Sequence, residues 1–289
     1  MKDSRGIGGL GPDIFSGQPA DPDLLAALYD LEHEDQVEDH VFYRETAHRA
    51  TGDTLDLGCG SGRLFRTLVD GGARRLVGVD GSPALLRRAA TRIASDPVLA
   101  QALAKGHLSL VEGDVRRPPL AGRFDLAVCA GVVPHLDGPE EALRLLGALE
   151  TLLAPAGVAV LDQLGPGSLP TRDLPLSVDW TREMAGHPVV RRSQMTRREA
   201  PEGLRVAYST LTDTVRPDGT IARLPASFRL WYPYPAVLVS LVSEAGLIVE
   251  ATYGSHDLEP LGRDSERCII IVRRRSKHGT AGGRRARRT

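Results

Sequence analysis

Apolar and polar positions along this chain form blocks that predict strands separated by helices. The predicted strands are residues 54–57, 75–80, 107–111, 124–130, 158–164, 248–253 and 268–272. The predicted helices that separate them are residues 61–69, 82–93, 139–153 and 235–245. Strands that alternate with helical runs are typical of a parallel, doubly wound α/β sheet.

Two segments depart from this rhythm. Residues 21–50 precede the first strand and predict two helices, the first capped by Asp21 with Pro22 at its first position. Residues 166–233 begin rich in Pro and Gly and continue with polar, β-prone segments, which predicts an inserted antiparallel β segment. We therefore expect one domain over residues 21–272.

The two termini have compositions that predict disorder. Residues 1–20 are rich in Gly, Pro and Asp, and residues 273–289 hold seven Arg and one Lys but no acidic residue. The rest of the chain has 28 basic and 37 acidic residues, a net charge of −9, which would repel phosphates. A basic tail can also bind nucleic acid, so that alternative stays open.

The composition further limits the class of protein. The three cysteines show no CxxC spacing, and the acids and histidines do not pair at ligand spacing, so neither a disulfide framework nor a metal site is expected. There is no apolar run of the length that a membrane span needs, and the N-terminus lacks the apolar core of a secretory signal. We expect a cytoplasmic protein.

The strongest local signal is the segment LDLGCGSGRL at residues 55–64, where a strand runs into a glycine loop and then a helix. Gly58, Gly60 and Gly62 give GxGxG, whereas the dinucleotide-binding fingerprint is GxGxxG. Glycine is needed where the backbone turns tightly and a ligand approaches without a Cβ in the way. The spacing disfavours an NAD(P) oxidoreductase.

Residues 56–62 resemble the first motif of class I S-adenosylmethionine-dependent methyltransferases. That resemblance implies a Rossmann-like, mostly parallel seven-stranded sheet with N-terminal lid helices, and S-adenosylmethionine as the cofactor. It also implies that the loop packs against the methionine part of the cofactor and that Asp56 helps to fix the methionine ammonium.

Three later motifs are similar to those of the same family and occur in the same order. Asp80 ends the second strand 18 residues after Gly62, where an acid accepts hydrogen bonds from ribose hydroxyls, and Gly81 follows it. Asp114 and Val115 resemble the adenine-edge motif, the acid reading the exocyclic amine. Residues 124–130 resemble the fourth-strand motif, which implies that Ala130 lies near the cofactor sulfur.

The candidate catalytic residue is His135, which follows the fourth strand at the sheet edge where α/β folds bind ligands. It is expected to act either as a general base or substrate partner, or as a helix-capping or cofactor-positioning residue. Tyr29 and Tyr43 on the lid helices are candidate cofactor contacts. His187, His256 and the pairs Arg191–Arg192 and Arg197–Arg198 are expected to be solvated residues on strand faces.

The lid and the insertion resemble those of methyltransferases that act on small amines and amino sugars. They favour an enzyme that methylates N or O of a small-molecule acceptor, in specialised metabolism, with a homodimer left open and no membrane or nucleic-acid partner expected. The apolar segment 130–132 departs from that group, so its substrate chemistry does not carry over. Two alternatives remain: an RNA or protein methyltransferase docked by the tail, and a non-catalytic S-adenosylmethionine-binding protein.

Overall fold

A computed structural model describes residues 21–216 and 218–275 of the chain. The predicted disordered N-terminus, residues 1–20, and residues 276–289 of the predicted tail lie outside the described residues. Arg273 and Arg274 are described, and they belong to the last strand, so the ordered chain runs past the predicted boundary at residue 272.

The main sheet has seven strands, in the spatial order β10-β11-β5-β4-β1-β2-β3. Their bounds are β1 Asp53–Leu57, β2 Arg75–Asp80, β3 Leu108–Glu112, β4 Phe124–Ala130, β5 Leu153–Leu164, β10 Leu247–Tyr253 and β11 Arg267–Arg274. Neighbouring strands from β5 to β3 pair in parallel, and only β11 runs antiparallel to its neighbours. The predicted mostly parallel seven-stranded sheet is confirmed.

Helices cover both faces of this sheet, as a parallel sheet requires because both of its faces are apolar. Their bounds are α1 Pro22–His33, α2 His40–Ala50, α3 Phe65–Asp70, α4 Pro83–Ser95, α5 Pro97–Ala104, α6 Pro139–Leu152 and α7 Pro235–Glu244. One core lies under α6 and α7, and a second core lies under α2, α3, α4 and α5. Within the described ranges, no helix is long and apolar enough to cross a membrane.

The insertion forms a separate four-stranded antiparallel sheet in the order β6-β7-β8-β9, which we call the cap sheet. Its strands are β6 Leu174–Met184, β7 His187–Ala200, β8 Gly203–Val215 and β9 Ile221–Pro233. Helix α1 packs against it through Leu28 and Leu31, which contact Val189 and Leu224. The lid helix therefore lies against the cap sheet.

The sequence pattern missed two elements. Strand β6 was hidden because its segment begins in a Pro- and Gly-rich stretch and its side chains are mostly exposed. Helix α5 was missed because it begins at Pro97 directly after α4 ends, and Asp96 caps it by accepting hydrogen bonds from two backbone N–H groups. The helix after the glycine loop begins at Phe65 rather than at residue 61, because residues 61–64 form turns.

The ring of Phe65, which is fully buried, packs between the glycine loop and β2. A Cβ built on Gly62 would lie 2.6 Å from this ring, and one built on Gly78 would lie 2.5 Å from its Cζ. Both glycines are therefore required by packing inside the protein. This is a role for Gly62 that needs no ligand.

We expect Gly78→Ala to lower the free energy of unfolding by about 1–3 kcal/mol, because the added methyl overpacks the core against Phe65. Gly147→Ala is the matched control. Gly147 lies in α6 with nothing within 4 Å of an added Cβ, so its replacement should raise stability by up to about 1 kcal/mol through helix propensity. Urea unfolding of both variants checks this, and equal effects at the two sites would contradict the packing argument.

Candidate active site

The glycine loop between β1 and α3 lies at the carboxyl edge of the sheet. Gly58, Gly60 and Gly62 all have positive φ, at 82°, 55° and 73°. The N–H groups of Gly58 and Cys59 both donate to the carbonyl of Val79, at 2.7 and 2.9 Å, which fixes the loop against β2. The loop therefore has a backbone path that residues with side chains rarely adopt.

Asp80, at the end of β2, holds the same loop from its side chain. Its Oδ2 accepts a hydrogen bond from the N–H of Gly60, and its Oδ1 accepts one from the N–H of Ser82, both at 2.8 Å. An ionised carboxylate has about four lone-pair sites, so each oxygen keeps one for a ligand hydroxyl. The acid predicted to bind ribose thus also shapes the loop.

Asp56 lies in β1 directly before the glycine loop and is 3% exposed. Burial raises its pKa to about 7, the charge of Arg63 opposes this shift, and that of Asp80 adds to it. A cationic partner would stabilise the ionised form of this buried carboxyl and so offset its desolvation. The hydroxyl of Ser61 is also buried, with no hydrogen-bond partner among the described residues. Both groups fit a ligand that carries an ammonium and hydrogen-bonding groups.

The adenine-edge residues follow β3. Asp114 is exposed and accepts hydrogen bonds from the side chain and backbone N–H of Arg116, which lower its pKa. Val115 is half-buried against the larger core. A Cβ built on Gly58 would lie 2.5 Å from Val132 and 3.8 Å from Val115. Two valines therefore lie beside Gly58 as an apolar wall.

His135 lies in the short 3-10 helix Val133–His135 that follows β4. Ala130 ends β4, and Gly131, with φ of 70°, makes the turn by donating its N–H to the carbonyl of Asp162 at 2.8 Å. The His135 side chain is solvent-accessible, yet the surrounding protein lowers its pKa by desolvation, against the opposing charge of Asp80. The imidazole is therefore neutral at pH 7 and able to accept a proton.

The two lid tyrosines occupy different environments. Tyr29 lies over the glycine loop, its hydroxyl 3.7 Å from a Cβ built on Gly60. Burial raises the pKa of Tyr29. Tyr43 is 0% exposed, and its hydroxyl donates to Asp162 at 2.7 Å. The structure thus places Tyr29 at the loop and Tyr43 in the interior. The Tyr43 side chain contacts Asp162 in place of the predicted contact with the cofactor.

Asp162 is the centre of a buried polar cluster that the sequence did not reveal. Besides Tyr43, its carboxylate accepts hydrogen bonds from His256 at 2.9 Å and from the Arg267 guanidinium at 2.9 and 2.5 Å. Burial raises the pKa of Asp162, but the hydrogen bond from His256 and the charge of Arg267 outweigh it and lower the pKa overall. The expectation that His256 is solvated was therefore wrong.

Arg63 fastens the connection between the lid helices to the glycine loop. Its guanidinium makes a two-bond contact with the Asp39 carboxylate at 2.8 and 2.6 Å and also donates to the carbonyl of Gln36. Asp39 is 6% exposed. Arg63 stands directly after the third glycine, but nothing in the sequence indicated its partner.

Arg191 corrects a second expectation of solvation, because it is 8% exposed. It lies over the rings of Trp180 and Tyr208, donates to the Tyr208 hydroxyl, and forms an ion pair with Glu32 of α1. The lid helix and the cap sheet are thus joined by charge as well as by apolar packing. Over residues 21–216 and 218–275, no three His, Cys, Asp or Glu side chains cluster as a metal site would require.

Comparisons with known proteins agree with this arrangement. Residues 54–157 match a family model described as a methyltransferase domain. An 89-residue segment is 34% identical to the mitochondrial ubiquinone biosynthesis O-methyltransferase of Schizosaccharomyces pombe (strain 972 / ATCC 24843), covering 31% of this chain. That match spans only 30% of the length of the yeast protein.

Solved structures resemble a larger part of the chain. The CcbJ methyltransferase of Streptomyces caelestis superposes with a TM-score of 0.66 at 22% identity, covering 82% of this chain and 89% of its own. The sugar N-methyltransferase KedS8 of Streptoalloteichus sp ATCC 53650 gives 0.67 at 19% identity, covering 95% and 100%.

The amino pentose methyltransferase CalS10 of Micromonospora echinaspora, solved with S-adenosylmethionine, gives a TM-score of 0.63 at 21% identity, covering 86% and 95%. At such identities the likeness concerns the fold. Residues 54–157 therefore carry a methyltransferase domain, and the fold of the chain resembles those of a solved sugar N-methyltransferase and a solved amino pentose methyltransferase.

Proposed function

We propose that this protein transfers the methyl group of S-adenosylmethionine to a nitrogen or oxygen atom of a small-molecule acceptor. The observation that carries the proposal is the convergence of Asp56, Asp80 and Gly60 at one sheet edge, where Asp80 already orders the loop through the Gly60 N–H. Ligands of open α/β sheets bind at this edge.

The cofactor-holding roles follow from the chemistry of each group. Asp80 would accept hydrogen bonds from the ribose hydroxyls, and Asp56 would pair with the methionine ammonium. Asp114 would accept from the adenine amine, with Val115 against the ring and Gly81 leaving space beside the ribose. Further contacts are expected from the loop glycines, from Ala130 at the end of β4, and from Tyr29 as a lid over the loop.

The bound cofactor supplies an activated methyl group on a sulfonium, so the protein has to align the acceptor and exclude water. The lid helices and the cap sheet are suited to excluding water from this edge of the main sheet. A base is needed when the acceptor atom carries a proton that must leave. We assign that role to His135, because it follows β4 at the carboxyl edge of the sheet and its solvent-accessible imidazole is neutral at pH 7.

The comparisons bear on the acceptor atom, and they point to two different atoms. The structural neighbours described as sugar N-methyltransferase and amino pentose methyltransferase point to nitrogen, whereas the yeast relative is an O-methyltransferase. The acidic body of the chain disfavours nucleic acid. We therefore propose a small amine or hydroxylated metabolite from specialised metabolism as the partner.

We expect calorimetric titration of the full-length protein to detect binding of S-adenosylmethionine at micromolar concentration and no binding of NADH. Asp80→Asn should weaken that affinity at least tenfold, because the amide presents a donor where the ribose hydroxyls need an acceptor. Asp264→Asn, at a carboxyl to which no cofactor contact is assigned, is the control. Binding of NADH in place of S-adenosylmethionine would refute the proposal.

The pKa of about 7 at Asp56 predicts a pH dependence of cofactor binding. Below that pH the carboxyl is neutral and cannot pair with an ammonium, so we expect the affinity to fall by about tenfold from pH 8 to pH 6. Asp56→Asn should bind weakly at both pH values and lose this dependence. Asp70→Asn, at an exposed carboxyl, should retain it, and a dependence that persists in Asp56→Asn would have another origin.

His135→Gln should lower the turnover number by about 10²-fold or more if the imidazole removes a proton. The affinity for S-adenosylmethionine should stay within twofold. The measurement is formation of S-adenosylhomocysteine with a panel of small amines and hydroxylated metabolites. The rate of the wild-type enzyme should fall as His135 is protonated at acidic pH. Full turnover by His135→Gln would show that His135 has no catalytic role.

A further inference from the structure

A short link of three residues joins the turn that carries His135 to helix α6. It consists of Leu136, Asp137 and Gly138, and α6 begins directly after it. Pro134 and Leu136 are buried on either side of His135, whose own side chain is exposed. The position of the imidazole therefore depends on the backbone of this link.

The link is held by side chains from α6 and from the cap sheet. Glu141, in the first turn of α6, accepts a hydrogen bond from the Asp137 N–H at its Oε2, at 2.8 Å. Arg205 of β8 donates from one terminal nitrogen to the Asp137 carbonyl at 3.4 Å. A Cβ built on Gly138, whose φ is 128°, would lie 3.0 Å from the other terminal nitrogen of Arg205. The Glu141 carboxylate is thus the contact that fixes the link to a helix of the main core.

The other oxygen of Glu141 faces the adenine-edge residues. Its Oε1 accepts a hydrogen bond from Nη1 of Arg116. The same guanidinium donates to Asp114, from Nη2 to Oδ2 at 2.7 Å and from Nε to Oδ1 at 2.8 Å. Two-bond contacts between a guanidinium and a carboxylate are directional as well as strong. Arg116 therefore bridges the acid proposed to read the adenine amine and the residue that holds the His135 link.

The Asp114 carboxylate is fully engaged by this one neighbour. Besides the two contacts above, the backbone N–H of Arg116 donates to Oδ1 at 2.8 Å, and Nε lies 3.0 Å from Oδ2. These contacts use up the roughly four lone-pair sites of a carboxylate. An adenine amine can therefore bind Asp114 only if Arg116 gives up part of its contact. Glu141 is the other carboxylate that this guanidinium touches, so the guanidinium then shifts toward it.

The three side chains of this bridge can be reached from solvent. The exposed fractions are 44% for Asp114, 35% for Arg116 and 21% for Glu141. Ion pairs at such exposure contribute little to stability, and they cost correspondingly little to rearrange. The bridge is therefore suited to transmitting a binding event, and the fold does not depend on its staying in one arrangement.

We propose that Arg116 and Glu141 are positioning residues that couple binding of the adenine amine at Asp114 to the placement of His135. When the amine takes part of Asp114, the guanidinium shifts toward Glu141, and Glu141 passes the change to the Asp137 N–H, two residues after His135. This inference rests on the proposed function for the adenine contact of Asp114 and for the catalytic role of His135. The base would reach its working position only when the adenine of the cofactor is in place.

Two nucleosides that differ in one group test this coupling. Adenosine carries the exocyclic amine, and purine riboside has a hydrogen atom in its place, so the rest of each ligand affects His135 alike. Full-length protein labelled with carbon-13 in its histidines is titrated to saturation with each nucleoside at pH 8. The Cε1–H signal of His135 is assigned by its loss in His135→Gln. We expect adenosine to displace this signal at least twice as far as purine riboside does.

Glu141→Gln isolates the bridge from the fold. The amide breaks the charged contact with Arg116 and keeps an oxygen that can accept from the Asp137 N–H, so the start of α6 is retained. We expect this variant to bind adenosine within threefold of the wild-type affinity, because Asp114 is intact. The difference between the two nucleosides at His135 should fall by at least half. Arg116→Gln should lose the difference as well.

Two neighbouring variants are the matched controls. Glu140→Gln breaks the adjacent ion pair with Arg144 on the same turn of α6. Arg117→Gln removes the same charge as Arg116→Gln at the next position. Both should keep the wild-type difference between adenosine and purine riboside at His135, because neither residue is part of the bridge.

The inference is overturned if adenosine displaces the His135 signal no further than purine riboside does in the wild type. It is also overturned if Glu141→Gln and Arg116→Gln both keep the full difference, or if the two controls lose it too. S-Adenosylhomocysteine is titrated in parallel. If it binds the wild type, these outcomes concern the bridge alone, whereas its failure to bind counts against the proposed function.

Discussion

The hydrogen bonds to the buried Asp162 carboxylate are the interaction on which the arrangement of the active-site edge depends. Withdrawing a carboxylate from water is costly, and here Tyr43, His256 and Arg267 together supply the hydrogen bonds that offset this cost. Each donor comes from a different part of the chain: a lid helix, the loop after β10, and β11. The backbone carbonyl of the same residue holds Gly131. Asp162 therefore fixes both the position of lid helix α2, through Tyr43, and the turn before His135.

The lid and the cap sheet form one enclosure over that edge. Glu32 and Arg191 join them, and Arg182 adds a hydrogen bond to the carbonyl of Leu31 at the end of α1. Because these contacts include apolar packing as well as charge, the lid helix cannot leave the cap sheet without exposing both. Helix α1, which carries Tyr29 over the glycine loop, is therefore fixed to the cap sheet.

The parts of this arrangement that the sequence predicted are those governed by local pattern. The parallel sheet follows from short apolar runs between helices, and the glycine loop follows from a spacing that only a tight, ligand-accessible turn requires. Asp80 was predicted because it ends a strand at a fixed distance from that loop. His256 could not be paired with Asp162, since 94 residues separate them and a single sequence carries no signal for such a contact. Arg191 looked solvated because its burial depends on two aromatic rings supplied by neighbouring strands.

The packing of Phe65 also constrains how this chain can change over evolutionary time. Its ring fills the space beside both Gly62 and Gly78, so neither glycine is free to acquire a side chain while the phenylalanine is present. Position 78 gains space when a smaller residue replaces the ring, although the Cys59 sulfur still lies 3.0 Å from an added Cβ, and position 62 also keeps the constraint of its positive φ. The order of substitutions is thereby fixed, and homologous lineages should show positions 65 and 78 changing together rather than independently.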